Sequence, residues 1–269
     1  MGSGSGHMLC VARHGAAAKN VFLFCVDNSA QICYTVHVRF KNDKINYGVT
    51  YIMRMRKKKH REDRLSACSE LFTESLGTYE NGLRPLFDND NPIHVEIGCG
   101  KGKFITETAA NHPEINYLAI EKNLDVLVLA AEKIKAAGIG NVRFAAGDAN
   151  ALAQLETENE VERIYINFCD PWKKSRQAKR RLTHENFLKI YEKMLVPGGE
   201  VHFKTDNTRL FEFSLNSFSA YGLMMKNITL DLHNSGFEGN VMTEYETLFS
   251  EKGQPIYRCE VVFPSMKRG

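Results

Sequence analysis

The chain has 269 residues, of which 43% are hydrophobic and 25% charged, a composition typical of a folded, water-soluble protein. Its net charge of +3 is too small to indicate a partner, and no apolar run approaches the ~20 residues that a membrane-spanning helix needs. The seven cysteines form no CxxC pair and no His/Cys metal spacing. The sequence therefore predicts reduced thiols, a cytoplasmic location, no membrane association and no bound metal.

The N-terminal part of the chain is set apart by its composition. Residues 1–8 have the composition of an expression tag. Within residues 9–52, the stretch 32–40 alternates as a strand does, but few turn or cap residues surround it. A basic run begins at Met53 and predicts that residues 53–90 form an N-terminal arm and lead-in. Residues 9–52 are then an extension with three open explanations: disorder, a misassigned start upstream of Met53, or an accessory hairpin.

From residue 93 the sequence alternates regularly between strand and helix patterns. This alternation predicts an α/β fold, with a doubly wound, Rossmann-like, largely parallel sheet and right-handed crossovers. The predicted strands are 93–97, 117–120, 142–146, 161–168, 200–204, 223–232 and 255–263. The predicted helices are one directly after the glycine turn, 124–137, 183–195 and 210–221. For the helix at 183–195, Thr183 is the predicted N-cap and residues 197–199 the predicted terminator.

A glycine-rich turn, Glu96-Ile-Gly98-Cys-Gly100-Lys-Gly102, lies between a predicted strand and a predicted helix. Glycines there let the backbone approach a ligand and adopt positive φ angles. The dinucleotide fingerprint would place Gly or Ala at position 103, where this chain has lysine. The turn therefore argues against a nicotinamide cofactor and favours a ligand without a pyrophosphate.

Acidic residues follow the successive strands. Glu121 ends the second strand about 20 residues after the glycines, where an acid accepts hydrogen bonds from ribose hydroxyls. Asp148 follows the third strand, where an acceptor can bind an adenine amino group. With Glu96, these acids suit S-adenosylmethionine, whose sulfonium and amino groups are positive. The alternative is that each acid only caps a helix or turn.

The strand at 161–168 leads into Asp170-Pro171-Trp172 and then into a basic run. Pro171 cannot donate to a sheet, so the chain turns at Asp170 and leaves a carboxylate and an indole at the end of a central strand. Six Lys or Arg between Lys173 and Arg181, and seven between Arg54 and Arg64, are typical of nucleic-acid binding. A solvated face is the alternative for either cluster alone.

Six segments follow one another along the chain: Glu96–Gly102, Glu121, Asp148, the Asp170-Pro171-Trp172 turn with its basic run, Lys204-Thr205-Asp206 and Thr243-Glu244-Tyr245-Glu246. Together they resemble the bacterial tRNA (guanine-N7-)-methyltransferase family. The resemblance covers roughly residues 53–263, so residues 9–52 lie outside it, and it makes residues 91–269 the methyltransferase domain. It implies a seven-stranded sheet with an antiparallel hairpin at one edge. It also implies methyl transfer from S-adenosylmethionine to guanine N7 at position 46 of the tRNA variable loop, by a monomer or homodimer.

The resemblance also implies roles for individual residues. The cofactor would contact Glu96, Gly98, Gly100, Glu121, Asp148 and Asp170, and Asp170 would be catalytic. The target guanosine would contact Lys174, Asp206, Thr243, Glu244, Tyr245 and Glu246. RNA would contact Arg176, Gln177, Ala178, Lys179, Arg180 and Arg181. The family commonly has Pro, a basic residue and His where this chain has Lys173, Ser175 and Gln177, which affects the expected RNA contacts and leaves Asp170 and Lys174 in place.

Two other classes of protein remain open on the residues alone. A methyltransferase acting on an exocyclic DNA amine also places an acid or amide before proline at this strand end, but it usually has a second proline where this chain has Trp172. An RNA-binding module without catalysis would not need cofactor-directed acids, and failure to bind S-adenosylmethionine would favour it.

Overall fold

The computed structural model describes residues 9–12, 20–26, 33–41, 44–52, 59–73, 82–155 and 157–265. The chain divides into two compact units, Met1–Lys57 and Lys58–Gly269. The domain limits predicted at residues 8, 52 and 90 stay predictions.

The first unit contains a four-stranded antiparallel sheet. Its strands pair in chain order: β1 (Leu9–Ala12), β2 (Asn20–Val26), β3 (Cys33–Lys41) and β4 (Lys44–Ile52). The strand predicted at 32–40 overlaps β3 over residues 33–40, and residue 32 lies outside the described residues. The register of β3 and β4 runs from Cys33 opposite Ile52 to Lys41 opposite Lys44.

The second unit alternates strands and helices. Its strands are β5 (Ile93–Ile97), β6 (Asn116–Glu121), β7 (Val142–Ala146), β8 (Val161–Asn167), β9 (Leu195–Thr205), β10 (Met224–Thr229) and β11 (Tyr257–Val262). Its helices are α1 (Arg61–Ser66), α2 (Lys103–Asn111), α3 (Leu124–Ala136), α4 (Glu185–Met194), α5 (Thr208–Tyr221) and α6 (Glu244–Ser250). Short 3₁₀ helices lie at Ser69–Leu71, Arg84–Leu86, Ala149–Gln154, Ser175–Arg180 and Leu232–Asn234.

The seven strands of this unit form one sheet in the order β10-β11-β9-β8-β5-β6-β7. Strands β9, β8, β5, β6 and β7 pair in parallel, whereas β11 pairs antiparallel with both β9 and β10. The predicted doubly wound, Rossmann-like fold is confirmed, including the antiparallel hairpin at one edge. The strand order reverses at β5, so the carboxyl ends of β5 and its neighbours border one crevice.

The two faces of the sheet differ in chemistry. One face is apolar and packs against α4 and α5, with Ile166, Phe203 and Val261 among its buried residues. The other face is apolar beneath α2 and α3, but β9 and β11 present polar side chains such as His202 and Arg258 to it. Alternation of apolar and polar residues along β9 and β11 follows from the two-residue period of a strand.

The region after β8 corrects one prediction. Helix α4 begins at Glu185, with His184 rather than Thr183 as its N-cap, and ends at Met194. Thr183 is buried, and its Oγ1 accepts a hydrogen bond from Ser214 Oγ at 2.8 Å. Residues 197–199 lie inside β9 instead of ending the helix, because Leu195 already pairs with Val161 and the extra residues form an irregularity before Glu200.

Among the described helices, none has the length and apolar character needed to cross a membrane.

Candidate active site

The glycine turn after β5 opens toward the carboxyl edge of the sheet. Gly98 and Gly100 have φ angles of +83° and +56°, which side-chain-bearing residues rarely adopt. A Cβ atom added to either would meet no heavy atom of the described residues within 4 Å. At Gly102, by contrast, a Cβ atom would lie 2.6 Å from the Cβ atom of Ala130. Gly102 therefore lets α2 pack closely on α3, while Gly98 and Gly100 leave room for a ligand.

A cleft of about 560 Å³ lies over the carboxyl ends of β5, β6, β7 and β8. Four of the six residues predicted to contact the cofactor line this cleft: Gly98, Glu121, Asp148 and Asp170. Because parallel sheets bind ligands where their strand order reverses, the position of the cleft is that of a cofactor site. Its lining also includes Asn150, Phe168, Cys169, Trp172, Arg180 and Phe187.

The three carboxylates of the cleft differ in their contacts. Glu121 accepts hydrogen bonds from the backbone N–H groups of Gly100 (3.2 Å) and Asn123 (2.9 Å), so it also holds the glycine turn. Asp148 caps the following 3₁₀ helix through the Asn150 N–H at 3.0 Å. The Asp170 side chain is 67% exposed, and Lys122 Nζ lies 3.7 Å from its carboxylate. Asp170 and Asp148 are therefore both exposed at the cleft, whereas Glu121 is partly buried.

Glu96 lies on β5 beneath the glycine turn, and its side chain is buried at 1% exposure. Its Oε1 accepts a hydrogen bond from Asn167 Nδ2 at 3.0 Å, whereas Oε2 has no hydrogen-bond partner among the described residues. Burial raises the pKa of Glu96 to about 8, against the opposing effects of the Asn167 hydrogen bond and the Lys204 charge. The buried, unpaired oxygen can receive a hydrogen-bond donor from a ligand.

The buried state of Glu96 predicts a pH-dependent stability. The native pKa is raised above the ordinary value of 4.5, so the stability that Glu96 contributes is full below pH 4.5 and is lost as pH rises through about 8. Between these limits the loss is about 1.4 kcal/mol of unfolding free energy for each pH unit. We expect Glu96→Gln to remove this loss, as measured by urea unfolding of both proteins at pH 6, 7 and 8. Parallel pH profiles for the two proteins would contradict the buried, protonated state.

A second group of predicted residues lies beside the cleft, at the end of β9. Asp206 accepts hydrogen bonds from Tyr245 Oη at 3.1 Å and from Gln254 Nε2 at 3.2 Å. The Tyr245 ring lies 5.0 Å from the ring of Phe168, which itself lines the cleft. Tyr245 and its partner Asp206 thus lie next to the cleft, and their role in target binding stays a prediction.

Thr243 and Glu244 fix the start of α6. Thr243 Oγ1 accepts a hydrogen bond from the Glu246 N–H at 3.0 Å and so caps the helix. Glu244 accepts from the Lys103 N–H at 3.3 Å and forms an ion pair with Lys133. Because Lys103 is the first residue of α2, Glu244 ties α6 to the helix that follows the glycine turn.

Glu246 is completely buried and pairs with Lys204. Lys204 Nζ donates to Glu246 Oε2 at 2.8 Å, to Asn240 Oδ1 at 3.0 Å and to the Val241 carbonyl at 2.9 Å. Burial lowers the pKa of Lys204, and the Glu246 charge opposes that shift. The pair therefore attaches α6 and the preceding loop to β9 instead of facing the cleft.

The basic run forms a 3₁₀ helix, Ser175–Arg180, on the surface next to the cleft. Lys174, its N-cap, and the side chains of Arg176, Lys179 and Arg180 are exposed, and Gln177 and Ala178 are partly buried. No acidic residue interrupts this run, so it presents a positive surface beside Asp170.

Two arginines of the basic run contact the turn that carries Asp170. The Arg180 guanidinium lies 5.0 Å from the centre of the Trp172 ring. Arg181 donates hydrogen bonds to the carbonyls of Pro171 and Trp172, both at 3.1 Å, and its guanidinium covers the Phe213 ring at 4.3 Å. Arg181 therefore supports the turn, in addition to any RNA contact predicted for it.

A second cavity, of about 380 Å³, lies between α2 and the polar face of β9 and β11. Glu200, His202 and Glu260 place their ligating atoms within 4.8 Å of one another there. Both carboxylates also pair with cations, Glu200 with Lys226 and Glu260 with Arg258. Desolvation lowers the pKa of His202 to about 4. The charges of this group are already balanced within the protein, which disfavours a cation there.

The family model described as "Putative methyltransferase" matches residues 90–259. A tRNA (guanine-N(7)-)-methyltransferase from Geobacillus sp. (strain WCH70) is 51% identical over 79% of this chain and 96% of its own length. The protein of that name from Bacillus subtilis (strain 168) is 49% identical over 78% of this chain and 98% of its own. This chain belongs to the tRNA (guanine-N(7)-)-methyltransferase family.

A solved structure extends the comparison to the fold. The 16S rRNA methyltransferase KamB aligns with a TM-score of 0.51 at 12% identity, over 71% of this chain and 98% of its own. At this identity the likeness concerns the fold alone, and it agrees with the Rossmann-like sheet found here.

Several residues of the site were missed by the sequence argument. Phe168 and Cys169 line the cleft because the chain turns after Asn167. Their position directly before Asp170 was the sequence feature that could have indicated a place in the site. In the sequence, Lys204 stood out only as part of Lys204-Thr205-Asp206, one of the segments that carry the family resemblance. Its apolar neighbour Phe203 was the feature that could have indicated a buried strand. The pairing of Lys204 with Glu246, 42 residues later, depends on the tertiary fold.

Proposed function

We propose that this protein transfers a methyl group from S-adenosylmethionine to N7 of a guanine in tRNA, at position 46 of the variable loop. The observation that carries the proposal is the meeting of Glu121, Asp148 and Asp170 in one cleft, directly beside Asp206 and Tyr245. Two relatives named tRNA (guanine-N(7)-)-methyltransferase, at 51% and 49% identity, support the choice of substrate.

The residues of the cleft fit the cofactor. The open backbone at Gly98 and Gly100 gives room for it, Glu121 is positioned for ribose hydroxyls, and Asp148 for an adenine amino group. The unpaired Oε2 of Glu96 suits the cofactor's ammonium group, which would also favour ionisation of that carboxyl. When bound, S-adenosylmethionine supplies the methyl group, which leaves sulfur as it bonds to guanine N7.

The protein's contribution to the reaction is mainly alignment and charge stabilisation. Guanine N7 carries an unprotonated lone pair, so no general base has to remove a proton first. Alignment of two reactants can contribute about 7–11 kcal/mol to lowering a barrier. Positive charge appears on the guanine imidazole ring as the bond forms, and the carboxylate of Asp170 is placed to stabilise it.

The target guanosine is assigned to Asp206 and Tyr245, which are hydrogen-bonded to each other, and to the exposed Lys174. Asp206 is suited to accept from the guanine N1 and amino donors, since carboxylates accept from base-edge amino groups. Thr243, Glu244 and Glu246 support this surface from behind, through the helix cap, the Lys103 contact and the Lys204 pair. Their effect on substrate is thus exerted through the position of α6.

Binding of tRNA is expected to weaken steeply with salt, because the exposed basic run neutralises phosphates. Each contact adds about 0.7–0.9 to the slope of log affinity against log salt. Arg176→Gln with Lys179→Gln should therefore lower the slope by about 1.4–1.8. The matched control is Lys189→Gln with Lys193→Gln on α4, which should keep the wild-type slope. Equal slopes for both double variants, measured by filter binding, would contradict the assignment of this run to RNA.

The position of the modified guanine is tested with two unmodified tRNA transcripts that differ only in guanine or adenine at position 46. We expect methyl incorporation into the first and loss of incorporation into the second. Equal incorporation into both would show that another guanine is the target.

A further inference from the structure

Phe168 has an unusual backbone conformation. Its φ angle is +53°, in the left-handed region, where a bulky aromatic residue is an outlier. The Phe168 N–H donates to the Lys204 carbonyl at 2.9 Å, which holds the residue between the ends of β8 and β9. Such conformations cost free energy and persist where the surroundings impose them, often at functional sites. Trp172, four residues later, also has a positive φ angle of +41°, so the surroundings of the two rings decide between them.

The Phe168 ring lies where the cleft meets the target-side group. It lines the cleft two residues before Asp170, and it contacts the Tyr245 ring at 5.0 Å with an interplanar angle of 42°. Tyr245 is held in turn by its hydrogen bond to Asp206 and by stacking on Phe249 at 4.3 Å. Phe168 thus borders the cleft and also contacts Tyr245, the hydrogen-bond partner of Asp206.

Trp172, the other partly exposed aromatic residue lining the described cleft, is already in contact with a cation. The Arg180 guanidinium lies over its ring at 5.0 Å, so one face of the indole is covered. Phe187 also lines the cleft but is only 3% exposed. Phe168 also has a neighbouring ring, Tyr245, but that neighbour is bonded to Asp206, so of the two rings Phe168 is the one that connects the cleft with the target-side group.

We propose that Phe168, supported by Tyr245, is the stacking surface for the target guanine. The inference rests on the proposed function and adds a substrate-binding residue to it. Stacking against Phe168 holds the purine plane while Asp206 accepts from its Watson–Crick edge, which directs N7 toward the cleft. Positive charge develops on the purine as N7 is methylated, and an aromatic face attracts positive charge. Phe168 then favours the transition state as well as the bound substrate.

The test compares Phe168→Leu and Phe168→Tyr with the wild type in single-turnover methyl transfer to tRNA. Leucine keeps apolar volume without a π face, so the rate at subsaturating tRNA should fall about tenfold or more, the size of one lost base–aromatic stack. Tyrosine should retain most of the rate. Phe237→Leu is the matched control and should keep the wild-type rate, because this partly buried aromatic residue lines the second cavity and not the cleft. Affinity for S-adenosylhomocysteine and the melting temperature should stay unchanged in all three.

A second measurement does not depend on turnover, and it uses Phe168→Leu protein whose melting temperature and S-adenosylhomocysteine affinity match the wild type. A tRNA with 2-aminopurine at position 46 should lose fluorescence when the wild-type protein stacks the base, and Phe168→Leu should restore it. If the wild type methylates tRNA but gives no quenching, or Phe168→Leu reacts at the wild-type rate, the proposal for Phe168 is wrong and the proposed function stands. If the wild type does not methylate tRNA, the proposed function itself fails.

Discussion

Replacement of Asp170 with asparagine is expected to slow methyl transfer by about two to three powers of ten, or roughly 3–4 kcal/mol of barrier. The change keeps the size of the side chain and removes its negative charge. Asp170 lines the cleft, is 67% exposed, and has Lys122 at 3.7 Å, so its carboxylate is accessible to the developing positive charge on the purine. The measurement is single-turnover transfer at saturating cofactor and tRNA.

The matched control is Asp88→Asn, an exposed acid on the loop before β5, which should leave the rate unchanged. Affinity for tRNA should barely change in Asp170→Asn, because an acidic side chain does not attract phosphate. If the rate stayed normal while the melting temperature fell, Asp170 would have a structural role, and Asp206 would become the candidate for charge stabilisation.

Replacement of Lys204 with methionine is expected to lower the free energy of unfolding by about 3–5 kcal/mol, because it leaves a buried carboxylate without its partner. The Lys204 and Glu246 side chains are only 6% and 0% exposed. Their pair connects β9 with α6, which carries Tyr245, so target binding should weaken together with stability. Urea unfolding at pH 7 measures the stability change.

The double variant Lys204→Met with Glu246→Leu is the control for this pair. Removing both charges should recover most of the loss, since buried ion pairs are often replaceable by apolar residues at little cost. If Lys204→Met alone had no effect, the pair would not fix α6. If the double variant were as unstable as the sum of both single variants, the pairing itself would contribute nothing.

The order of strands and helices from residue 93 onward could be predicted because each segment carries its own periodic pattern. The prediction was wrong between α4 and β9, where Pro197, Gly198 and Gly199 have the local character of a terminator. Tertiary pairing decided that region, since Leu195 joins Val161 immediately after the helix and the glycines are taken up as an irregularity of the strand. Local sequence does not contain that information.

The acids of the cleft were predictable for a different reason. Glu121 and Asp148 follow strands, and parallel strands bring their carboxyl ends to one edge of the sheet. The roles of Glu244 and Glu246 were not predictable, because their polar segment has the pattern of an exposed helix start and their partners are distant in sequence. Glu244 pairs with Lys103 and Lys133, which lie 141 and 111 residues away, and Glu246 pairs with Lys204, 42 residues away. Phe168 was missed because a left-handed backbone at phenylalanine has no recognisable sequence pattern.

The central claim, methylation of guanine N7 in tRNA from this cleft, is tested most directly by analysing the nucleosides of the product. Unmodified tRNA is incubated with the protein and S-adenosylmethionine, digested, and separated by liquid chromatography with mass spectrometry. We expect 7-methylguanosine with the wild type. With Asp170→Asn the amount of 7-methylguanosine formed in the same time should be lower by about 100-fold or more. Methylation at another guanine atom, or on another nucleoside, would contradict the account, as would no transfer by a wild-type protein that binds both substrates.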